Sequence, residues 1–241
     1  MPIDILITIL ITAVVQSIFG VGMLLYGTPI LLLLGYSFID ALGIVLPISI
    51  AISLLQVIKH SDYVDTVFYK NVLRYSIPVV IVFLALITSI KINVSFIMGI
   101  FLLLVAVKSF SQTIERALQS IVKYERLYLV ITGFVHGISN LGGSLLTVMI
   151  YSKQYPKDAT RVTAAACYFT LALFQLLTLL VMQTEFTIPY SVKSTLVQIG
   201  VLTFLVVEEV VYTHINNDKY SRIFAVFLFA AGLALIAKSV L

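Results

Sequence analysis

Two short runs of small, hydroxyl and amide residues carry most of the chemistry this chain can do. One is Gln16, Ser17, Gly20 and Gly22; the other is Ser139, Asn140, Gly142, Gly143 and Ser144. They offer hydrogen bonds and bare backbone, with no nucleophile set beside a base. Glycine lets a solute approach the main chain closely. Where a helix is interrupted, unpaired N–H groups and the positive end of the dipole attract anions. Holding a small anion is therefore the chemistry these types fit. Close helix packing is the other use of such glycines, and a single one would fit that use better. Their duplication beside amides and hydroxyls tips the reading toward a ligand.

The duplication is measurable. Ile11 to Leu25 aligns without gaps on Ile131 to Leu145, 120 residues later, and six of fifteen positions are identical: Ile11/Ile131, Thr12/Thr132, Val15/Val135, Ile18/Ile138, Gly22/Gly142 and Leu25/Leu145. Chance can produce such a match among apolar residues, but each copy opens a half-chain of similar length. Paired glycine-interrupted hydrophobic segments in corresponding places mark the substrate site of many transporters.

Other polar groups fall inside apolar runs. Gln56 and Gln175 lie 119 residues apart, each late in the span after its glycine segment. Amides in hydrocarbon need partners, so an interhelical hydrogen bond and a substrate contact are both open. Ser49 and Ser53 lie one turn apart on the face that reaches Gln56, although serines also bond their own helix. His136 aligns with Gln16 and is the one ionisable residue well inside a hydrophobic segment. Such groups are functional candidates, and histidine titrates near neutrality; a proton carrier and a structural hydrogen bond are the two uses. Asp40, Glu208 and Glu209 fall at predicted span ends, where interface solvation is expected.

These residues must be positioned by membrane helices. The chain is 61 % hydrophobic and 11 % charged, with a mean hydropathy of +1.11, which excludes a soluble globular domain. No ten-residue alternation suggests a barrel. The net charge of +4 sits in loops and speaks to membrane orientation, with no nucleic-acid partner implied. The single cysteine, Cys167, excludes an internal disulfide and fits packing. Met1-Pro-Ile-Asp4 lacks a basic n-region, so the first hydrophobic segment is expected to be retained.

Ile5 to Gly35 has no charge and would rise about 46 Å as one helix, beyond a bilayer core of roughly 30 Å and short of two crossings. Irregular backbone at that depth must be buried in protein or line a cavity. The segment therefore reads as a broken helix or re-entrant hairpin. The fold expected is an all-α polytopic membrane protein of two inverted repeats, each a broken or re-entrant hairpin plus three transmembrane helices. Residues 1–110 form the first repeat, with a hairpin at 5–35 and spans near 40–58, 72–90 and 95–107. Residues 111–126 form an amphipathic linker on Ile114, Leu118, Ile121 and Val122. Residues 127–241 form the second repeat, with a hairpin at 128–152 and spans near 162–182, 194–211 and 222–241.

If both hairpins return to the side they entered, the fifteen Lys and Arg divide twelve to three; if both cross, nine to six. The excess of Lys and Arg in cytoplasmic loops favours the hairpins. That test bears on the second one, since no Lys or Arg precedes Lys59. At 25 residues, 128–152 also has the length of one tilted span.

The sequence resembles the sulfite exporter TauE/SafE family of bacterial permeases over essentially its whole length. The resemblance rests on Gln16 to Gly22, Pro29 and the leucines before Gly35, on Leu46, Pro47, Ser49, Ser53 and Gln56, and on Gly133 to Gly143. The family often has a fuller glycine cluster than Gly20-Val-Gly22 and Asn140 to Gly143. The resemblance implies secondary transport of sulfite, sulfonates or related small anions by a multi-pass protein of the plasma (inner) membrane. With three crossings per half, both termini would face outward. Coupling to H+ or Na+ is the corresponding expectation, and no cofactor or metal is expected. A P-loop is absent, so ATP for transport would have to come from a separate subunit. Two other classes compete. An intramembrane enzyme would need converging titratable groups, and the sequence has no His-Glu-x-x-His pair or Gly-x-Ser-x-Gly turn. A membrane-assembly subunit would be expected to project a soluble part.

Overall fold

The computed structural model describes residues 2–90 and 123–214. The expected spans at 95–107 and 222–241, and most of the 111–126 linker, lie outside the described residues.

Among the described residues all regular structure is helical. Helix α1 (Ile3–Phe19) ends at Gly20, in the left-handed region at φ 73°. Helix α2 (Met23–Leu33) follows within three residues, opening with a π-helical turn before Pro29 sets the first turn of its α-helical part. Helix α3 (Phe38–His60) is capped by Ser37, whose hydroxyl accepts from the Asp40 N–H. Helix α4 (Thr66–Ile90) is capped by Asp65, which accepts from the Val67 and Phe68 N–H groups. In the second half, α5 (Glu125–Ser139) stops at Asn140, also left-handed at φ 59°. Helix α6 (Gly142–Ser152) restarts after Leu141. Helices α7 (Lys157–Val181) and α8 (Tyr190–Val210) each begin after a proline, Pro156 and Pro189.

Helices α3, α4, α7 and α8 are long and apolar enough to cross a membrane. Helices α1, α2, α5 and α6 are not. At 17 residues α1 rises about 25 Å, and at 11 residues α6 rises about 16 Å, against a core of roughly 30 Å. The interval 128–152 is thus two helices interrupted at Asn140 and Leu141, and 5–35 is two interrupted at 20–22.

Packing treats the two halves alike. Helices α3 and α7 lie against each other at the centre, 61 % buried in their apolar windows, while α4 and α8 are 28 % buried. Helix α4 packs on α5 and α7; helix α8 packs on α1 and α3. Each half's second long helix therefore grips the other half's broken helix and first long helix. The α4–α5 contact depends on Gly133 and Gly137, four residues apart. A Cβ there would come within 2.5 Å of the Ser76 carbonyl and 2.9 Å of the Val80 carbonyl. Small residues at this spacing let helix backbones touch in lipid.

The expected fate of two carboxylates is corrected by the packing. Asp40 is 6 % and Glu208 2 % exposed. Asp40 accepts from the Thr187 N–H at 2.8 Å, and Glu208 pairs with Arg161. Both have partners inside the fold, so neither depends on interface water; Glu209 is exposed.

Candidate functional site

The first break is built around Gln16. Its amide nitrogen donates to the Ser53 hydroxyl at 2.9 Å and to the Ser49 hydroxyl and carbonyl at 3.2 Å. Its amide oxygen accepts from the Met23 N–H at 2.9 Å, so the side chain caps the start of α2 and ties it to α3. Gln56, one turn beyond Ser53, donates to the carbonyls of Gln16 at 2.8 Å and Ser17 at 3.1 Å. The Ser17 hydroxyl bonds back to the Ala13 carbonyl at 2.6 Å. Gln16, Ser17, Gly22, Ser49, Ser53 and Gln56 are thus one cluster. Gly20 faces elsewhere: a Cβ on it would lie 2.3 Å from the Arg161 carbonyl of α7.

The second break uses the equivalent positions. His136 Nε2 lies 3.1 Å from Gln175 Oε1, a side-chain contact where Gln56 instead donates to the backbone carbonyl of Gln16. A Cβ on Gly142 would come within 2.4 Å of the Thr132 carbonyl and 2.7 Å of the His136 nitrogen; on Gly22 it would come within 2.9 Å of the Thr12 carbonyl and 2.7 Å of the Gln16 nitrogen. Each contact recurs 120 residues on, so both segments fold back along their first helix in the same way. Gly22 at φ 158° is extended backbone; what demands glycine is this lack of space.

Ser139 donates to the Val135 carbonyl at 2.7 Å, and Ser144 to the Leu141 carbonyl at 2.8 Å. Gly143 lies against the Tyr168 hydroxyl, 2.2 Å from where a Cβ would be. Helix α6 starts with no side-chain cap. Asn140 reaches across to the other half, its amide donating to the Thr28 hydroxyl of α2 at 2.7 Å. Thr28 and Tyr168 were not legible as site residues: each is a lone polar group in an apolar run, and no spacing ties it to its partner.

Gln16, Gln56, His136, Asn140 and Gln175 are all fully buried. Four of their polar atoms have no hydrogen-bond partner among the described residues: Gln56 Oε1, His136 Nδ1, Asn140 Oδ1 and Gln175 Nε2. Unpaired polar atoms away from water are costly and call for an explanation; a polar solute that visits them is one. A cavity of about 460 Å³ opens elsewhere, between Gly43, Pro47, Leu180, Phe186, Lys193 and Val197, and none of the candidate residues lines it.

Among the described residues, four long apolar helices and two pairs of short ones, with amides buried at the interruptions, are those of a polytopic helical membrane protein. The family model described as "Sulfite exporter TauE/SafE" matches residues 5–235. The chain belongs to this family of membrane transporters. No curated protein and no solved structure matches it.

Proposed function

We propose that the chain is a secondary transporter of small oxyanions, sulfite or sulfonates, working by alternating access between two inverted repeats. The observation that carries this is the recurrence, 120 residues apart, of the same broken-helix contacts at Gly22 and Gly142. A two-fold relation between halves accounts for it, and for the reciprocal packing of α4 and α8. In this reading 5–35 and 128–152 are hairpins dipping from opposite surfaces, joined at the Asn140–Thr28 hydrogen bond. The uncapped start of α6, the unpaired Gln175 Nε2 and the second N–H of Asn140 Nδ2 hold the anion, while Gln56 spends both amide N–H groups on carbonyls of the first break. Gln16, Ser49 and Ser53 shape the first break, with Ser17 and Gly20 beside them. Ser139, Gly142, Gly143 and Ser144 shape the second. His136 is the candidate proton carrier for coupling. With its amides fully buried, the arrangement corresponds to an occluded state, and rocking of the halves would open it to either side.

Protein reconstituted in liposomes should move sulfite or methanesulfonate, and a thermal-shift screen of small anions should single out the same solutes. No flux and no anion-dependent shift would end the proposal. Cysteines placed at the exposed Ser37 and Ser152 test the topology: the first should label from outside and the second from inside. Labelling of both from one side would remove the inverted repeat.

A further inference from the structure

Arg161 heads the fully buried large side chains, 1 % exposed, one turn into α7. Its Nη2 donates to Glu208 Oε2 of α8, and its guanidinium carbon stands 3.6 Å over the Tyr212 ring. The other Glu208 oxygen is shared with His60 Nε2 at 3.3 Å and Lys59 Nζ at 3.7 Å. Tyr212 donates its hydroxyl to Asp158 at 2.5 Å, and Lys157 lies 4.6 Å from the Tyr212 ring centre. Among the described residues, Lys59, Lys157 and Arg161 thus gather around Glu208 and Asp158.

Arg161 Nε and Nη1 are buried and have no acceptor among the described residues, which leaves three of the five guanidinium N–H groups unused there. A residue serving only to lock α7 to α8 would be expected to spend its planar fork on the carboxylate in two parallel bonds. Glu208 instead meets one nitrogen and turns its second oxygen to other cations. Leaving part of a buried guanidinium unpaired is expensive. The site is also joined to the transport machinery, because the Arg161 carbonyl is the atom against which the left-handed Gly20 of the first break packs.

We propose that Arg161 is a binding residue for the transported oxyanion, which accepts from Nε and Nη1 while Glu208 retains Nη2. This rests on the anion-transport reading and adds to it a cationic contact at the Lys59 end of the bundle. Arg161 and Gln175 are fourteen residues apart on α7, about 21 Å, so they are successive stations for the anion: amides and a helix start at the second break, and a fixed positive charge beside the first.

The test compares wild type, Arg161→Lys and the neutral pair Arg161→Gln with Glu208→Gln, which leaves no lone charge buried. Sulfite flux in liposomes and the sulfite-induced rise in melting temperature are read on each. We expect the KM for sulfite to rise about tenfold or more in both variants, the loss of charge-assisted hydrogen bonds, and the sulfite-induced rise to vanish. Melting without sulfite reports any structural role separately. A KM within twofold of wild type in either folded variant would overturn the assignment. If wild type neither moves nor is stabilised by sulfite or methanesulfonate, the transport reading itself fails and takes this proposal with it.

Discussion

Gln16 and His136 occupy equivalent places in the two halves and are used differently. Gln16 has every polar atom engaged, with Ser49 and Ser53 on one end and the Met23 N–H on the other. Its break is closed by its own side chain. His136 engages one nitrogen with Gln175 and leaves the other unpaired, and around it Gln175 Nε2 and Asn140 Oδ1 are also unpaired. At the first break, among the described residues, Gln56 Oε1 alone is in that condition. The start of α2 is capped by Gln16 and the start of α6 has no side-chain cap. The same backbone device thus serves as a clamp in one half and, we infer, as a receptor in the other.

The largest effects test what the breaks share. Gly22→Leu and Gly142→Leu each push a side chain into backbone atoms less than 3 Å away. Each should cost more than about 4 kcal/mol and abolish folded protein, measured as monodisperse yield in detergent. Normal yield from either would break the equivalence.

The next effect tests what they do not share. Gln16→Leu strands the Met23 N–H and two serines, and should cost about 2–4 kcal/mol. His136→Leu loses one bond and should cost about 1 kcal/mol while abolishing sulfite flux. Equal destabilisation by both, with flux retained in His136→Leu, would erase the distinction. Asn140→Gly comes next. Glycine keeps the left-handed turn and forfeits the Thr28 bond, for about 1 kcal/mol. Sulfite KM should rise roughly tenfold, the worth of about one such hydrogen bond. An unchanged KM in folded protein would remove Asn140 from the receptor.

Both interruptions were legible in the sequence because their cause is local. A chain that must fold back on its own helix needs glycine where backbone meets backbone, and Gly22 and Gly142 stand out in an otherwise apolar register. The Gln16/His136 and Gln56/Gln175 pairings could be read from the same offset. The Arg161–Glu208 pair could not. Its partners are 47 residues apart, and charges at the edge of an apolar run look like interface residues until the bundle closes over them. Helix α7 also begins earlier than hydropathy suggests, at Lys157 rather than near residue 162, which draws Arg161 inside. The Asn140–Thr28 contact, 112 residues apart, was illegible for the same reason: a hydrogen bond between halves leaves no periodicity.

The smallest effect lies where the loops of the two halves touch. Asp65, between α3 and α4, accepts from the Tyr155 hydroxyl in the loop after α6. Burial alone would raise the Asp65 carboxyl. The Tyr155 hydroxyl, the Phe68 N–H, the Lys153 charge and the Val67 N–H outweigh it and hold the group below its ordinary value. A carboxyl whose folded-state pKa lies below its unfolded value of about 3.9 stabilises the fold above that value. The contribution is lost as pH falls through the folded pKa. Asp65→Asn keeps a competent helix cap and removes only the charge, so at neutral pH it should cost under about 1 kcal/mol, as exposed pairs do. Melting curves should separate wild type from the variant at pH 7 and converge as the pH is lowered below the carboxylate range. A gap that persists in acid would mean that the Tyr155 contact depends on shape rather than charge, and the loops would then be held together independently of their ionisation.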